Sequence, residues 1–346
     1  METRPVHILS VGTAVPGLPI DNARLARRFG MTETWRQWVD TFVGAGTRHL
    51  SVDLDTGEPR WSLTDLAATA AQRALDAAGL AGPDVDLVVM GTATPDQLMP
   101  TTATMVADRL GIDGVPAFQL QSGCSGAVQA LQVAHQFLAS GTKRTALVIG
   151  ADTTAKYFDT TADLSTLPPA QLVNFLLFGD AAGAVVLGTG AGRGARALVH
   201  RVGTTLTGLG REPGQTLRWY GPADRGEKSQ EPAIGENYKE IEESVPPMAA
   251  EIARVLLADL DWQESEVDYL LPPQLSARMS EKILPLLGFP AAEEIACVTE
   301  TGNTGNALPF LQLERALDEM VPGDRALGIA VESSKWIRAG FAVERV

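Results

Sequence analysis

At 346 residues, 45% of them hydrophobic and 20% charged, the chain is long enough for one large domain or two medium ones with a real core. The net charge of −14 speaks against a nucleic-acid partner, and no apolar run approaches the roughly 18 residues that a membrane span needs. Two cysteines, Cys124 and Cys297, make no disulfide framework, and no charged-then-apolar leader opens the chain, so a cytoplasmic protein is expected.

In chain order, a strand is predicted over residues 5–11. The segment Thr34-Trp35-Arg36-Gln37-Trp38 then offers aromatic and basic side chains. A helix ending at Gly79 leads through Pro83-Asp84-Val85-Asp86 to a strand at 87–90. An apolar stretch ending at residue 120 reads as a buried strand. Residues 127–138 are apolar at helical spacing and close at Gly141. Between them lies Gln121-Ser122-Gly123-Cys124-Ser125-Gly126-Ala127. A thiol at such an elbow meets converging backbone N–H groups and a helix dipole that favours a thiolate; the alternative is a small buried hydrophobe. Gly188 to Gly194 is glycine-rich but lacks the Lys-Ser/Thr of a phosphate loop, and reads as a connection. The four histidines are isolated from any ligand partner at metal-binding spacing, so no metal site is expected.

The two halves repeat. Helix, acidic turn and strand recur about 182 residues on, in 255–271. At an offset of 180, Ser122 to Ala127 aligns with Gly302-Asn303-Thr304-Gly305-Asn306-Ala307, and the helices 129–138 and 309–318 and the strands 146–150 and 326–330 align too. Two duplicated halves, 1–190 and 191–346, are therefore expected, with Cys124 and Asn303 meeting across a pseudo-two-fold axis.

These residues carry a resemblance. Gly123-Cys124-Ser125-Gly126, Phe178-Gly179-Asp180-Ala181-Ala182-Gly183-Ala184, Tyr269 to Ser276 and Gly302-Asn303-Thr304 together resemble the thiolase fold. Within it they resemble the β-ketoacyl-acyl-carrier-protein synthase III group. The resemblance implies an α/β fold of two duplicated halves in an α-β-α-β-α layering. It also implies a Cys-His-Asn site in which the cysteine takes an acyl group from a thioester, while His and Asn stabilise the enolate of a decarboxylating malonyl unit. Cys124 and Asn303 match. The histidine does not: the Pro-His-Gln-Ala-Asn motif reads Pro272-Pro273-Gln274-Leu275-Ser276, which puts Pro273 at the histidine and Ser276 at the second asparagine. His7 and His200 belong to strands, His49 lies near the N-terminus, and His135 is three turns beyond Cys124. The family's glycine-rich loop is replaced by Ile329-Ala330-Val331-Glu332-Ser333, so Glu332 stands at the oxyanion position with Ser333 beside it as a substrate contact.

Loss of one donor to an enolate typically costs ~10²–10³ in rate, whereas acyl transfer by a thiolate asks less of the site. The expectation is an acyltransferase in natural-product biosynthesis. It would load an acyl group from coenzyme A or an acyl carrier protein onto Cys124 and pass it to a small-molecule hydroxyl or a carrier thiol, with Glu332 or Glu300 as base. The alternatives are a priming ketosynthase and a non-catalytic partner subunit. The resemblance further implies a homodimer, no resident cofactor, and coenzyme A contacts from Trp35 and Arg36, with Arg48 also near; Trp35 and Trp38 could equally be core aromatics. Residues 156–175 would lie over the acyl pocket and at the dimer interface. Trp219, Tyr220 and 221–236 form a loop, either at the acceptor entrance or a plain surface insertion.

Overall fold

The computed structural model describes residues 4–42, 44–160, 169–190, 194–218 and 233–346. Strand β1 (Val6–Ala14) is followed by a small ribbon, β2 (Ile20–Asp21) with β3 (Thr47–Arg48), between whose strands run α1 (Asn22–Arg28) and α2 (Glu33–Phe42). Next come α3 (Leu63–Ala78), β4 (Leu87–Thr92), α4 (Thr102–Arg109), β5 (Ala117–Gln121) and α5 (Gly126–Ala139). The first half ends with β6 (Thr145–Asp152), α6 (Pro169–Leu177) and β7 (Ala181–Gly188). The second opens with β8 (Ala197–Leu206), a ribbon of β9 (Gln215–Leu217) and β10 (Ile234–Glu236), and α7 (Tyr238–Leu260). It continues through β11 (Tyr269–Leu271), α8 (Ala277–Leu287), β12 (Glu293–Glu294) and α9 (Val298–Thr301). It closes with α10 (Leu308–Glu319), β13 (Arg325–Glu332) and β14 (Ile337–Arg345).

Local chemistry sets these boundaries. Ser62 caps α3 and Asp65 reaches back to the Ser62 N–H, while Gly79 ends the helix at φ 66°. β7 is buried along its whole length, as expected of a strand covered on both faces.

Ten strands form one mixed sheet in the order β12-β11-β13-β14-β8-β1-β7-β6-β4-β5. Outward from the β1–β8 seam, β1-β7-β6-β4-β5 on one side repeats β8-β14-β13-β11-β12 on the other. The pairing directions repeat as well: β4 is parallel to β5 and β6, as β11 is to β12 and β13. The seam itself is short, with Val6, His7 and Ile8 opposite Val199, Leu198 and Ala197.

Three cores separate the layers. α5 and α10 share the central core with strands of both halves, including Leu131, Phe310 and Phe341. α3 and α4 cover the outer face of the first half, and α7 and α8 that of the second. This is the α-β-α-β-α layering expected from the sequence.

Glycines let the two elbows sink onto the sheet. A Cβ at Gly91 of β4 would lie 2.3 Å from the Gly126 carbonyl, and one at Gly150 of β6 would lie 2.3 Å from the Asn306 oxygen. The start of α5 and the turn before α10, one from each half, thus rest directly on β4 and β6, neighbouring strands of the first half.

The stretch before Cys124 departs from expectation. β5 is the outermost strand of the sheet, not a buried one; Phe118 is 40% exposed and stacks on Phe137 of α5. Only one edge of β5 has a strand neighbour among the described residues, and its side chains are partly covered, Leu120 against the central core and Ala117 against the outer one.

Trp219, Tyr220 and the loop through residue 232, residues 161–168 of the 156–175 segment, residues 191–193 of the connection, and the side chain of Trp38 lie outside the described residues. Among the described residues, no helix is long and apolar enough to cross a membrane.

Candidate active site

Cys124 sits in the turn between β5 and α5, and this turn is anchored from the opposite half. Glu332, the last residue of β13, is buried to 3% exposure, and its Oε2 accepts from Ser122 Oγ at 2.6 Å and Ser125 Oγ at 2.5 Å. Ser334 Oγ donates to Oε1. Gln129 Nε2 donates to the same two serine hydroxyls at 2.7 and 2.8 Å.

Asn306 supplies the second anchor. Its Oδ1 accepts from the Ala127 N–H at 2.9 Å, while Nδ2 donates to the Ser122 carbonyl at 3.1 Å and to Asp152 at 2.9 Å. A Cβ at Gly126 would lie 2.6 Å from Asn306 Oδ1, so the glycine there makes room for the asparagine. Asp152 in turn accepts from Thr92, Thr94 and the Ala93 N–H. Burial pushes its carboxyl up, against the pull of these donors.

Asn303 is placed by its backbone. Its N–H donates to the Leu177 carbonyl at 2.8 Å, and its carbonyl accepts from the Gly179 N–H at 3.1 Å. The Gly-Asp motif thus props the asparagine: Asp180, beside Gly179, accepts from the Ser51 N–H at 2.6 Å and the Ala155 N–H at 3.0 Å. Asn303 Oδ1 is occupied by the Gly305 N–H at 3.1 Å, which leaves its amide NH₂ as the end for a substrate.

Two spaces have Cys124 in their walls, and share Leu275 and Val331 as well. A tight one, of about 20 Å³, is lined by Cys124, Pro273, Asn303 and the β13 residues 329–331, with room for about one water. The larger, of about 310 Å³, is lined by Cys124 together with residues of α6, α7, α8 and the β9–β10 ribbon. Val331 and Ser333 line the larger space, and Glu332 lines neither. Successive strand residues point to opposite faces, so the Glu332 carboxylate lies behind the elbow as its anchor.

The expectation of a resting thiolate is corrected. Burial, with the Glu332 and Asp152 carboxylates near, pushes the Cys124 thiol up to about 12. A helix dipole contributes ~0.3–1 kcal/mol, less than one pKa unit, so burial wins and the thiol is protonated at neutral pH. The Cys124 backbone N–H works the other way, favouring charge on the sulfur.

Other sequence-predicted residues lie elsewhere. Trp35 is half-buried against the cluster of Leu25, Val39 and Leu176, and Arg36 is bonded to Glu33 on its own helix; neither lines the cavities. Arg48 is fully buried and donates to Asn22 and to the Ala45 and Leu176 carbonyls, so it braces the fold and is not presented to a phosphate. Glu300 is exposed and paired with Arg315 at 2.5 Å. Ser276 lines the larger cavity and caps α8. His7 is buried in β1, His135 lies on α5, His49 faces the Pro16 carbonyl and His200 faces Glu344. None of the four lines either cavity.

Sequence reasoning missed Asn306, Asp152 and the cavity residues Gln215, Glu236 and Tyr238. Asn306 had a signal in the 180-residue offset, which sets it against Gly126. The others become neighbours only through the fold.

Residues 118–205 match the family described as 3-oxoacyl-[acyl-carrier-protein (ACP)] synthase III, and residues 257–333 match its C-terminal part. The chain is 35% identical over 327 residues to the β-ketoacyl-[acyl-carrier-protein] synthase III of Paramagnetospirillum magneticum, covering 93% of each chain. Among solved structures it is similar to AbyA1, a tetronic acid condensing enzyme, at 59% identity and TM-score 0.94, covering 98% of this chain and 99% of that one. The priming β-ketosynthase of the R1128 polyketide pathway follows at 25% identity and TM-score 0.81, covering 99% and 97%. With its fold, its cysteine elbow and these relatives in agreement, the chain belongs to the 3-oxoacyl-[acyl-carrier-protein] synthase III family.

Proposed function

We propose that the protein is an acyl-transferring condensing enzyme that works without decarboxylation. The observation that carries this reading is the cavity at Cys124 and Asn303, where Pro273 takes the histidine's place and no histidine lines the walls. Proline has neither a titratable group nor a donor for an enolate oxygen.

In the first half-reaction, Cys124 Sγ attacks the thioester of a coenzyme A or acyl-carrier-protein donor. Asn303 Nδ2 and the Cys124 N–H hold the oxyanion, and the donor's thiol leaves with the Cys124 proton. Thiol replaces thiol, so the step needs no net proton acceptor. Glu332 and Asn306 act as positioning residues, fixing the elbow from behind.

The second half-reaction needs an acceptor that is reactive as it arrives. A carbon flanked by two carbonyls is acidic already, and its acylation forms a C–C bond without loss of carbon dioxide. Similarity to a tetronic acid condensing enzyme at 59% identity favours such an acceptor over a plain hydroxyl or carrier thiol. A tetronic acid is a five-membered β-keto lactone. An α-hydroxyacyl group on Cys124, transferred to the central carbon of a β-ketoacyl thioester, places its hydroxyl within reach of that thioester carbonyl. Ring closure then expels the second thiol. Ser333 and Val331, on the cavity wall, would contact the acyl group.

The reading includes no resident cofactor, a cytoplasmic setting, and halves of common origin at 1–190 and 191–346. It also includes a homodimer, supported by the sheet edge at β5, which has no outer strand partner among the described residues and offers an exposed Phe118 to a second copy. Mass spectrometry of Cys124 after incubation with a panel of acyl-coenzyme A thioesters tests the first step. An adduct on Cys124, absent in Cys124→Ala, is expected. A protein that takes no acyl group from any of them is not an acyltransferase of this kind.

A further inference from the structure

Acylation of a carbon acid or a hydroxyl releases a proton, and with no histidine in the cavity another group must take it. The titratable or charged groups on the wall of the larger cavity, among the described residues, are Cys124, Glu236, Tyr238, Glu242, Arg278 and Lys282. Cys124 carries the acyl group. Glu242 and Lys282 neutralise each other in an ion pair, and Arg278 is a permanent cation. Burial and the neighbouring Glu236 push the Tyr238 phenol up, and its hydroxyl donates to Asn174 Oδ1. That leaves one carboxylate.

We propose that Glu236 is the proton-transfer residue of the second half-reaction, taking the acceptor's proton as its carbon attacks acyl-Cys124 and handing it to the departing Sγ. This assignment rests on the reading of Cys124 as the acyl carrier. The acceptor's electron pair forms the new bond to the acyl carbon, the C–S pair returns to sulfur, and the proton passes through the carboxylate with none gained or lost.

The setting suits the role. Glu236 lies opposite Gln215 in the β9–β10 ribbon, and Gln215 Nε2 donates to its Oε1 at 2.7 Å. The ribbon is tied to the site: the Gly214 N–H donates to the Ser333 carbonyl at 2.9 Å, and the Asn237 N–H to the Gly214 carbonyl at 2.8 Å. Oε2 is shielded from solvent and has no partner of hydrogen-bond geometry among the described residues, with Tyr238 and Asn174 beside the carboxylate. Burial raises the carboxyl, against the pull of Tyr238, Gln215 and Asn174, which is the direction that suits a general base. The same surroundings that hold the Cys124 thiol at about 12 make a bare thiolate a poor leaving group, so a proton delivered to Sγ matters.

The test separates loading from discharge. Wild type, Glu236→Gln and Glu236→Asp are loaded with acetyl-coenzyme A and discharged with the N-acetylcysteamine thioester of acetoacetate, across a range of pH. Glu236→Gln should load at least as fast as wild type, because the Glu236 charge also helps hold the Cys124 thiol up. That loading reports an intact fold, and discharge should be on the order of 10²-fold slower. It should lose the acid limb that wild-type discharge shows above the usual carboxylate range, and Glu236→Asp should regain part of both. Discharge of Glu236→Gln at the wild-type rate with an unchanged pH profile overturns the assignment alone. A wild-type protein that takes no acyl group removes the reading of Cys124, and this assignment with it.

Discussion

Replacing Glu332 by glutamine separates two effects that this carboxylate exerts on Cys124. It is the charged acceptor for Ser122 and Ser125, at 2.6 and 2.5 Å, and for Ser334. Exchanging one acceptor oxygen for an NH₂ removes a hydrogen bond to a charged group, at a cost of about 2 kcal/mol. Unfolding entropy near 2.1 cal/mol/K per residue means that a chain of 346 residues moves its midpoint by roughly 1.4 °C per kcal/mol. Glu332→Gln should therefore melt about 3 °C lower in scanning calorimetry. Its charge, second only to burial, also helps hold the Cys124 thiol up. The variant should thus react faster with iodoacetamide at pH 8, although its elbow is less firmly held. An unchanged midpoint together with unchanged or slower alkylation would refute the placement of this carboxylate behind the elbow.

Other consequences are as direct. Asn306→Ala strips three side-chain hydrogen bonds from the Ala127 N–H, the Ser122 carbonyl and Asp152, and should cost about 3–5 kcal/mol in denaturant unfolding. Because the native thiol of Cys124 binds its proton more tightly than an unfolded one, its contribution to stability is present below pH 9.0 and is lost as pH climbs toward about 12. Its alkylation rate should accordingly keep rising through pH 10, where an exposed thiol has levelled off. If the proposed homodimer forms through the outer strand, wild type should sediment as a dimer and Phe118→Lys as a monomer, and an equal mass for the two would refute that interface.

The repeat was legible because both copies keep the same order of elements, and the elbows themselves align at an offset of 180. Cys124 and Asn303 stood out as equivalent elbow residues, and Pro273 as a replaced histidine. The side chains that hold the site were less visible. Glu332 was found, but its role turns on strand alternation: Val331 and Ser333 face the cavity and Glu332 faces the elbow. Glu236 carries no motif in the sequence, and only the folded chain sets it on the wall of the cavity that Cys124 also lines. Arg48 looks like a phosphate ligand in sequence, yet the carbonyls at Ala45 and Leu176 bury it. The residues before Cys124 read as buried because apolar composition does not tell a central strand from an outer one.

The central claim is acyl transfer from Cys124 without decarboxylation, and a single-turnover experiment tests it most directly. Acetyl-loaded protein is offered either the N-acetylcysteamine thioester of acetoacetate or carboxyl-labelled malonyl-coenzyme A. With the first, the account predicts discharge of Cys124 and a product carrying the acetyl group on carbon. With the second, it predicts no labelled carbon dioxide beyond background. Release of labelled carbon dioxide in step with a β-ketoacyl product would contradict it, because that outcome needs the enolate stabilisation that Pro273 cannot supply.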